Sequence, residues 1–390
     1  MSEAVVRIAA RGDGVTPSGR HIAFAAPGDL VDAEGAITPG SHRQMPPCRH
    51  FPECGGCQLQ HIDDAAYADY LTQRVAGALA QHDLACDVRP PHLSPPRSRR
   101  RATLRALKAG NRVVLGFNAE KSNKVIDLEE CHILRPELFA LIAPLRELLG
   151  KLLAPKRTAE VQLTLADQGV DLLMKGVRAE GFEAAQGLVD FAQEQGLARL
   201  SLDEGLGPEV RWEPQPATVT LSERPVPLPI DAFLQATADG EQALVEAVLE
   251  AVGEAQTCAD LFAGIGTFAL ALPGKVLAAE ASRDAVLALK RAAPTIAAQH
   301  RDLYRRPLMV NELAGFEAVV LDPPRSGAEA QVAELAASVV PRIAYVSCNP
   351  ATFARDAAVL VSGGYRLDWV RPVGQFRWST HVELVAAFSR

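Results

Sequence analysis

Several short motifs place reactive side chains at the ends of apolar runs. Ser347-Cys348-Asn349-Pro350 follows the run Ile343-Ala344-Tyr345-Val346. Asn349 is a good helix N-cap and Pro350 a good first helical residue. Cys348 is therefore expected against a helix N-terminus, which lowers a thiol from its ordinary pKa of about 8.5. Such a thiol is a nucleophile; the alternative is a small buried apolar residue, the usual fate of a lone cysteine. Asp322-Pro323-Pro324-Arg325 closes a neighbouring apolar run and offers a carboxylate at the same sheet edge, or simply a turn. On the last strand, His381-Val382-Glu383 puts His381 and Glu383 on one face by alternation. Glu383 then suits a general base, with a surface acid as the alternative.

Asp260-Leu261-Phe262-Ala263-Gly264-Ile265-Gly266 ends an earlier strand, where glycines let a ligand approach the backbone. Glu280 ends the next strand, where a carboxylate can accept both hydroxyl hydrogens of a ribose. The pattern suits a dinucleotide or S-adenosylmethionine. The third glycine of the dinucleotide fingerprint is absent, since Ala269 and Leu270 follow Phe268, which favours the sulfonium ligand with no pyrophosphate to cradle. A second chemistry is carried by Cys48, Cys54 and Cys57, with Cys131 further on. Four thiolates suit a 4Fe–4S cluster or structural zinc. Zinc sites usually pair two Cys-x2-Cys knuckles and only one stands here, while Gly55-Gly56 lets the backbone wrap tightly.

These residues need elements to hold them. From about Asp231 strands and helices alternate: Thr257–Phe262, a helix from about Thr267, Lys275–Ala279, a helix Arg283–Ala292, Ala318–Leu321, a helix near Ala328–Ser338, Ile343–Ser347 and a helix Pro350–Val361. Tyr365–Val370 and His381–Phe388 follow as an antiparallel pair. The fold class is α/β, with a parallel, doubly wound C-terminal sheet. Residues 1–40 read as short strands and turns of a small β barrel. Residues 41–230 read as mixed α+β, with a helix Asp63–Leu79 and hairpins around Gly110-Asn111 and Asp167-Gln168-Gly169. The proline-rich run Pro214–Pro229 reads as a boundary to the last domain, 231–390.

Composition narrows the function. With 48% hydrophobic and 22% charged residues in 390, the chain is neither disordered nor, lacking an uncharged stretch of about 18 apolar residues, membrane-spanning. No secretory core follows Met1, so a cytoplasmic protein with reduced cysteines is expected. The net charge is −7, yet Val88–Ala119 holds eight basic residues and no acid: Arg89, Arg97, Arg99, Arg100, Arg101, Arg105, Lys108 and Arg112. Such segregation points to one polyanion-facing surface, or to a solvated basic face.

Taken together the motifs resemble the uracil-5 RNA methyltransferase family, class I S-adenosylmethionine enzymes that make 5-methyluridine. The resemblance runs through nearly the whole chain. It implies a shortened, OB-like TRAM barrel over residues 1–40 and 4Fe–4S ligation by Cys48, Cys54, Cys57 and Cys131. It places cofactor contacts at Gln235, Phe262, Gly264, Glu280, Asp302 and Asp322. It makes Cys348 the nucleophile and Glu383 the base, the final strand lying beside the fifth, about 5 Å away. It gives Arg99, within the run Arg99-Arg100-Arg101, an RNA-contacting role. The cluster cysteines favour 23S rRNA as substrate over tRNA, and a monomer is expected. Two other classes compete: an iron–sulfur or dinucleotide oxidoreductase, and a non-catalytic RNA-binding protein.

Overall fold

The computed structural model describes residues 2–390, which gather into two compact units. One holds the residues up to Pro47, Gln58–Ser94 and Asp239–Arg390; the other holds Cys48–Cys57 and Pro95–Ala238.

The first unit is built on seven strands: β1 (Thr257–Leu261), β2 (Lys275–Glu280), β3 (Ala297–His300), β4 (Ala318–Leu321), β5 (Arg342–Ser347), β6 (Arg366–Gly374) and β7 (Glu383–Ser389). Their spatial order is 3-2-1-4-5-7-6, and Asp87–Val88 and His92–Leu93 add to the outer edge of β6. Strands β1 to β5 are parallel; β7 runs antiparallel to both β5 and β6. Their apolar runs are continuous because both faces are covered. Ala259, Leu261, Val319, Leu321, Ile343 and Tyr345 pack with Phe353, Leu360 and Leu71. The alternate residues Cys258, Ala318, Val320, Ala344 and Val346 pack with Leu244 and Val248. Burial thus accounts for Cys258 as a small apolar residue.

One expectation changes and two elements are added. No helix starts at Thr267: Phe262, Gly264 and Gly266 all have positive φ and wind the chain into successive turns. Gly266 at φ 100° takes a conformation that other residues rarely adopt, and a Cβ there would also press on Leu289 Cδ1 at 2.6 Å, so the turn calls for glycine. The strand β3 escapes a reading by periodicity because Ala-Ala-Gln-His carries no apolar alternation. The proline-rich run folds as a hairpin, Thr218–Leu221 with Arg224–Pro227, turning on Ser222 and Glu223 at positive φ.

The N-terminal segment forms two three-stranded sheets of two-residue strands, consistent with a small barrel. Its core is thin: Val5, Ala25 and Val31. A buried carboxylate holds it together. Asp29, 0% exposed, accepts from the N–H groups of Ala26 (2.7 Å) and Gly40 (2.8 Å) and from Arg43 Nε (3.1 Å). Burial alone would push its carboxyl up, but the bonds from Arg43, Gly40 and Ala26 outweigh it and leave the pKa below the ordinary value. Asp29→Ala strands the Arg43 charge and should destabilise this segment by about 2–4 kcal/mol. Because the folded pKa is depressed, the wild-type contribution is present above the unfolded pKa near 4 and is lost as pH falls through the folded pKa. Hydrogen exchange of residues 3–40 in both proteins checks the size and the sign.

The second unit is a six-stranded sheet in the order Arg112–Gly116, Arg101–Ala109, Thr158–Ala166, Gly169–Lys175, Arg199–Asp203, Pro208–Trp212. Leu104, Leu115, Val161, Leu163 and Leu172 are fully buried in it. The hairpins around Gly110-Asn111 and Gln168-Gly169 form as the turn residues predict.

Candidate active site and cysteine cluster

Cys348 lies immediately beyond the carboxyl end of β5. The last register pair between β5 and β7 is Ser347 with Leu384. One step past that pair lie Cys348 and Glu383, close enough for the Glu383 carboxylate to act on the thiol. The local design follows the sequence. Asn349 caps the helix Pro350–Ser362, its side chain accepting from Ala351 N–H at 3.1 Å, and Pro350 is the first helical residue. Asn349 Nδ2 (3.0 Å) and Thr352 Oγ1 (3.1 Å) donate to the Arg325 carbonyl. These bonds tie the Asp322–Arg325 turn to the Cys348 helix. Glu383 is 7% exposed and accepts a hydrogen bond from the buried Gln375 amide. His381 falls before β7 and is exposed; its Nδ1 lies 3.1 Å from Arg325 Nη2. The strand alternation expected of His381 and Glu383 therefore does not apply.

The electrostatics reverse the expected thiol shift. Burial, followed by the nearby Glu383 and Asp322 carboxylates, pushes Cys348 up to about 11. Glu383 is pushed up to about 8, mainly by burial and then by Asp322. Arg325 lowers both groups and is the cation of this site. In the ligand-free protein, iodoacetamide alkylation of the Cys348 peptide should rise about tenfold per pH unit from neutrality, as the thiolate fraction does, towards a limit near 11. Asp322→Asn removes a repelling charge and should speed the reaction at pH 8. A rate for Cys348 that levels off near pH 7 contradicts the account.

Next to this pair, three carboxylates converge at the β1/β4 switch point of the sheet. Glu280 accepts from Gly264 N–H at 3.0 Å and Ser282 N–H at 2.6 Å, fixing the glycine turn. Asp260 Oδ2 accepts from Ala269 N–H at 2.8 Å, while Oδ1 is buried without a partner. Burial and then the other acids push Asp260 up to about 8, through Asp322 and Glu280, and Asp322 up to about 7, through Glu280. A crevice with this charge favours a cationic ligand and repels a pyrophosphate. Phe262 and Tyr304 meet at 5.5 Å between ring centroids on its rim. Asp302 accepts from Tyr304 N–H at 3.0 Å. The Tyr304 hydroxyl reaches the Gly327 carbonyl at 2.9 Å. Sequence reasoning passed over Asp260 as a strand end. The signal was a charged residue inside an otherwise apolar run.

In the second unit the four cysteines form a set of free thiols. Cys54 is buried and feels both Cys131 and Cys48, and Cys48 feels Cys131. Burial comes first in raising all three, Cys54 to about 11. Backbone N–H groups point at the sulfurs: His50 and Phe51 at Cys48, Gly56 at Cys54, Ile133 and Leu134 at Cys131. A Cβ on Gly55 would lie 2.7 Å from the Asn118 carbonyl, and one on Gly56 would lie 3.5 Å from Cys54 Sγ. The glycines therefore keep this loop close and leave space beside the sulfur. Among the described residues no three His, Cys, Asp or Glu side chains gather tightly enough for a single metal ion. Four thiols with backbone N–H groups directed at three of their sulfurs are a donor set of the kind that a 4Fe–4S cluster or structural zinc takes.

The three consecutive arginines of the basic run face different ways, Arg99 and Arg100 before the strand and Arg101 at its start. Arg99 faces Cys57 and Cys131, donates from Nε to the Arg101 carbonyl at 2.9 Å and sits over Phe117. Arg100 is buried, its Nε donating to the Gln235 carbonyl at 3.1 Å. Arg101 sits over the exposed Phe233 ring at 5.5 Å. Gln235 is itself buried in this unit.

This fold, with a capped thiol close to a buried acid, defines a class I methyltransferase-like site, and comparison narrows the class. The family model described as tRNA (Uracil-5-)-methyltransferase matches residues 295–390. An RNA methyltransferase of Zymomonas mobilis is 50% identical over 99% of this chain and 99% of its own length. The 23S rRNA (uracil(1939)-C(5))-methyltransferase RlmD of Halomonas elongata is 32% identical over 91% of this chain and 78% of its own. The structure of a Pyrococcus abyssi tRNA (uracil-54, C5)-methyltransferase in complex with S-adenosyl-L-homocysteine superposes with a TM-score of 0.78, covering 100% of this chain and 99% of that one at 22% identity. That last likeness is one of fold. The chain belongs to the RNA uracil-5 methyltransferase family. No helix among the described residues is long and apolar enough to cross a membrane.

Proposed function

We propose that this protein methylates C5 of a uridine in 23S rRNA, with Cys348 as nucleophile and Glu383 as base. The closeness of Cys348 to Glu383, just beyond the Ser347–Leu384 pair of β5 and β7, carries the reading. The carboxylate crevice holds S-adenosylmethionine through Phe262, Gly264, Glu280, Asp302 and Asp322, and it suits a ligand whose sulfonium and amino groups are cationic. When bound, that cofactor supplies an electrophilic methyl group.

The chain's own residues make the uracil reactive. C5 of uracil is a poor nucleophile. Addition of the Cys348 thiolate to C6 turns the ring into an enolate with carbanion character at C5. Once C5 carries its methyl group, Glu383 removes the C5 proton, and the electron pair expels the thiolate from C6. Each step is easier than direct substitution. A cation in the crevice screens Asp322 from the thiol and so favours its ionisation. The target base must leave its stack to reach Cys348, so an unpaired loop is the expected context.

Cys48, Cys54, Cys57 and Cys131 hold a 4Fe–4S cluster that stabilises their loop, since methyl transfer needs no electron. The set belongs to a reducing, cytoplasmic setting. In the second unit the RNA contact falls to the basic run Arg99-Arg100-Arg101, through Arg101 beside the exposed Phe233 ring; in the first unit the N-terminal barrel, residues 1–40, offers another. The test is product analysis: incubation with labelled cofactor and transcripts of 23S rRNA and tRNA, followed by nucleoside digestion. The expected result is labelled 5-methyluridine from the rRNA. Label from tRNA alone would reassign the substrate, and label in a different nucleoside would overturn the reaction.

A further inference from the structure

A cavity of about 340 Å³ in the first unit is lined by Arg7, Gln73, Arg74, Gln81, Pro350 and Ala351 among others, with no carboxylate in its wall. In a chain of net charge −7, a solvent-open cavity walled by two arginines and no acid is an anion site by its charge. The charge comes from the arginines, because the Ala351 N–H is already taken by the Asn349 cap at 3.1 Å. Arg7 is exposed on its short strand and makes no ion pair among the described residues. Arg74 projects from the helix Asp64–Ala80, its Nε buried without a hydrogen-bond partner and its guanidinium bonded to the Tyr70 hydroxyl. The same hydroxyl lies 3.2 Å from the Ala10 carbonyl and 3.3 Å from the Thr380 carbonyl. The cavity is thus tied to both catalytic segments: Pro350 is two residues from Cys348, and Thr380 three from Glu383.

We propose that this cavity binds a phosphodiester of the RNA chain next to the target uridine, with Arg7 and Arg74 as its ligands. The inference rests on the RNA reading above and adds to it a fixed backbone anchor at the start of the helix that follows the thiol. A phosphate contact sets the register of the strand without reading its sequence. Holding the neighbouring phosphate would let the flipped base enter always in the same orientation.

The test is RNA affinity as a function of salt for the wild-type protein, Arg7→Gln, Arg74→Gln and Arg74→Lys, using a single-stranded substrate oligonucleotide, with cofactor affinity as the check on folding. Loss of one charged phosphate contact should weaken binding about tenfold. It should also reduce the slope of log K against log salt by about 0.7. Arg7→Gln, at an exposed position, should show this with unchanged cofactor binding, and Arg74→Lys should recover part of what Arg74→Gln loses. Wild-type binding with affinities and slopes unchanged in Arg7→Gln and Arg74→Gln overturns the site while leaving the RNA reading intact. Absence of RNA binding by the wild-type protein overturns both. Tight binding of inorganic phosphate that depends on Arg7, with RNA affinity indifferent to it, assigns the cavity to a free anion and also overturns the proposal.

Discussion

Replacing Cys348 with serine should abolish methyl transfer, with a loss on the order of 10⁴-fold or more in single-turnover rate, as removal of a covalent nucleophile does elsewhere. The substitution is nearly isosteric, so the cap on Asn349 and the bonds to the Arg325 carbonyl persist. RNA and cofactor affinities should stay within a few fold. The size of the loss follows from the site's electrostatics. Burial, Glu383 and Asp322 already hold the thiol up to about 11, and a hydroxyl in the same field ionises far less readily than a thiol. Activity within tenfold of wild type would remove Cys348 from the mechanism.

Glu383→Gln should have a different signature. The amide cannot take the C5 proton, so turnover should fall by about 10²–10⁴-fold. Thiol addition does not need that proton transfer, so a covalent protein–RNA adduct should accumulate on a denaturing gel. A fall in turnover without an adduct would move Glu383 to an earlier step. The same variant reports on burial. The wild-type carboxyl is pushed up to about 8 in the folded protein, first by burial and then by Asp322, from an unfolded value near 4.3. A raised carboxyl pKa means that the unfolded chain releases its proton first. Wild-type stability contributed by this group is therefore complete below about pH 4.3 and declines as pH rises through about 8. The glutamine variant should gain melting temperature relative to wild type across that window. A catalytic acid kept buried beside Asp322 costs stability, and its removal should show it.

How far the sequence discloses the site depends on whether a neighbour or a field decides the outcome. The Asn349-Pro350 cap, the edge position of Asp322 and the pairing of the last two strands rest on local rules, and all stand in the structure. The placement of β7 between β5 and β6 needed the family resemblance, because no periodicity records which strand lies beside which. The Cys348 thiol shift went the other way, since a helix end can be read from two residues but Glu383 and Asp322 reach the thiol only through the fold. Arg100 looks like its neighbours in the chain, yet its bonds to the Gln235 and Ala236 carbonyls hold it inward. The turns after Phe262 replace a helix because Phe262, Gly264 and Gly266 all take positive φ, and only Gly266 does so against a neighbour, Leu289. The arginine cavity has no signature in the chain, since Arg7, Arg74 and Pro350 are far apart in sequence and only the fold brings them together.

The most direct test of covalent catalysis by Cys348 is trapping with a 5-fluorouridine-substituted 23S rRNA transcript in the presence of S-adenosylmethionine. Fluorine at C5 cannot leave as a proton does, so the thioether at C6 should survive denaturation. A shifted band is predicted, absent in Cys348→Ser, whose peptide carries the RNA adduct on Cys348. No band from a protein that nonetheless methylates unsubstituted RNA at C5, or an adduct mapped to another residue, would contradict the account.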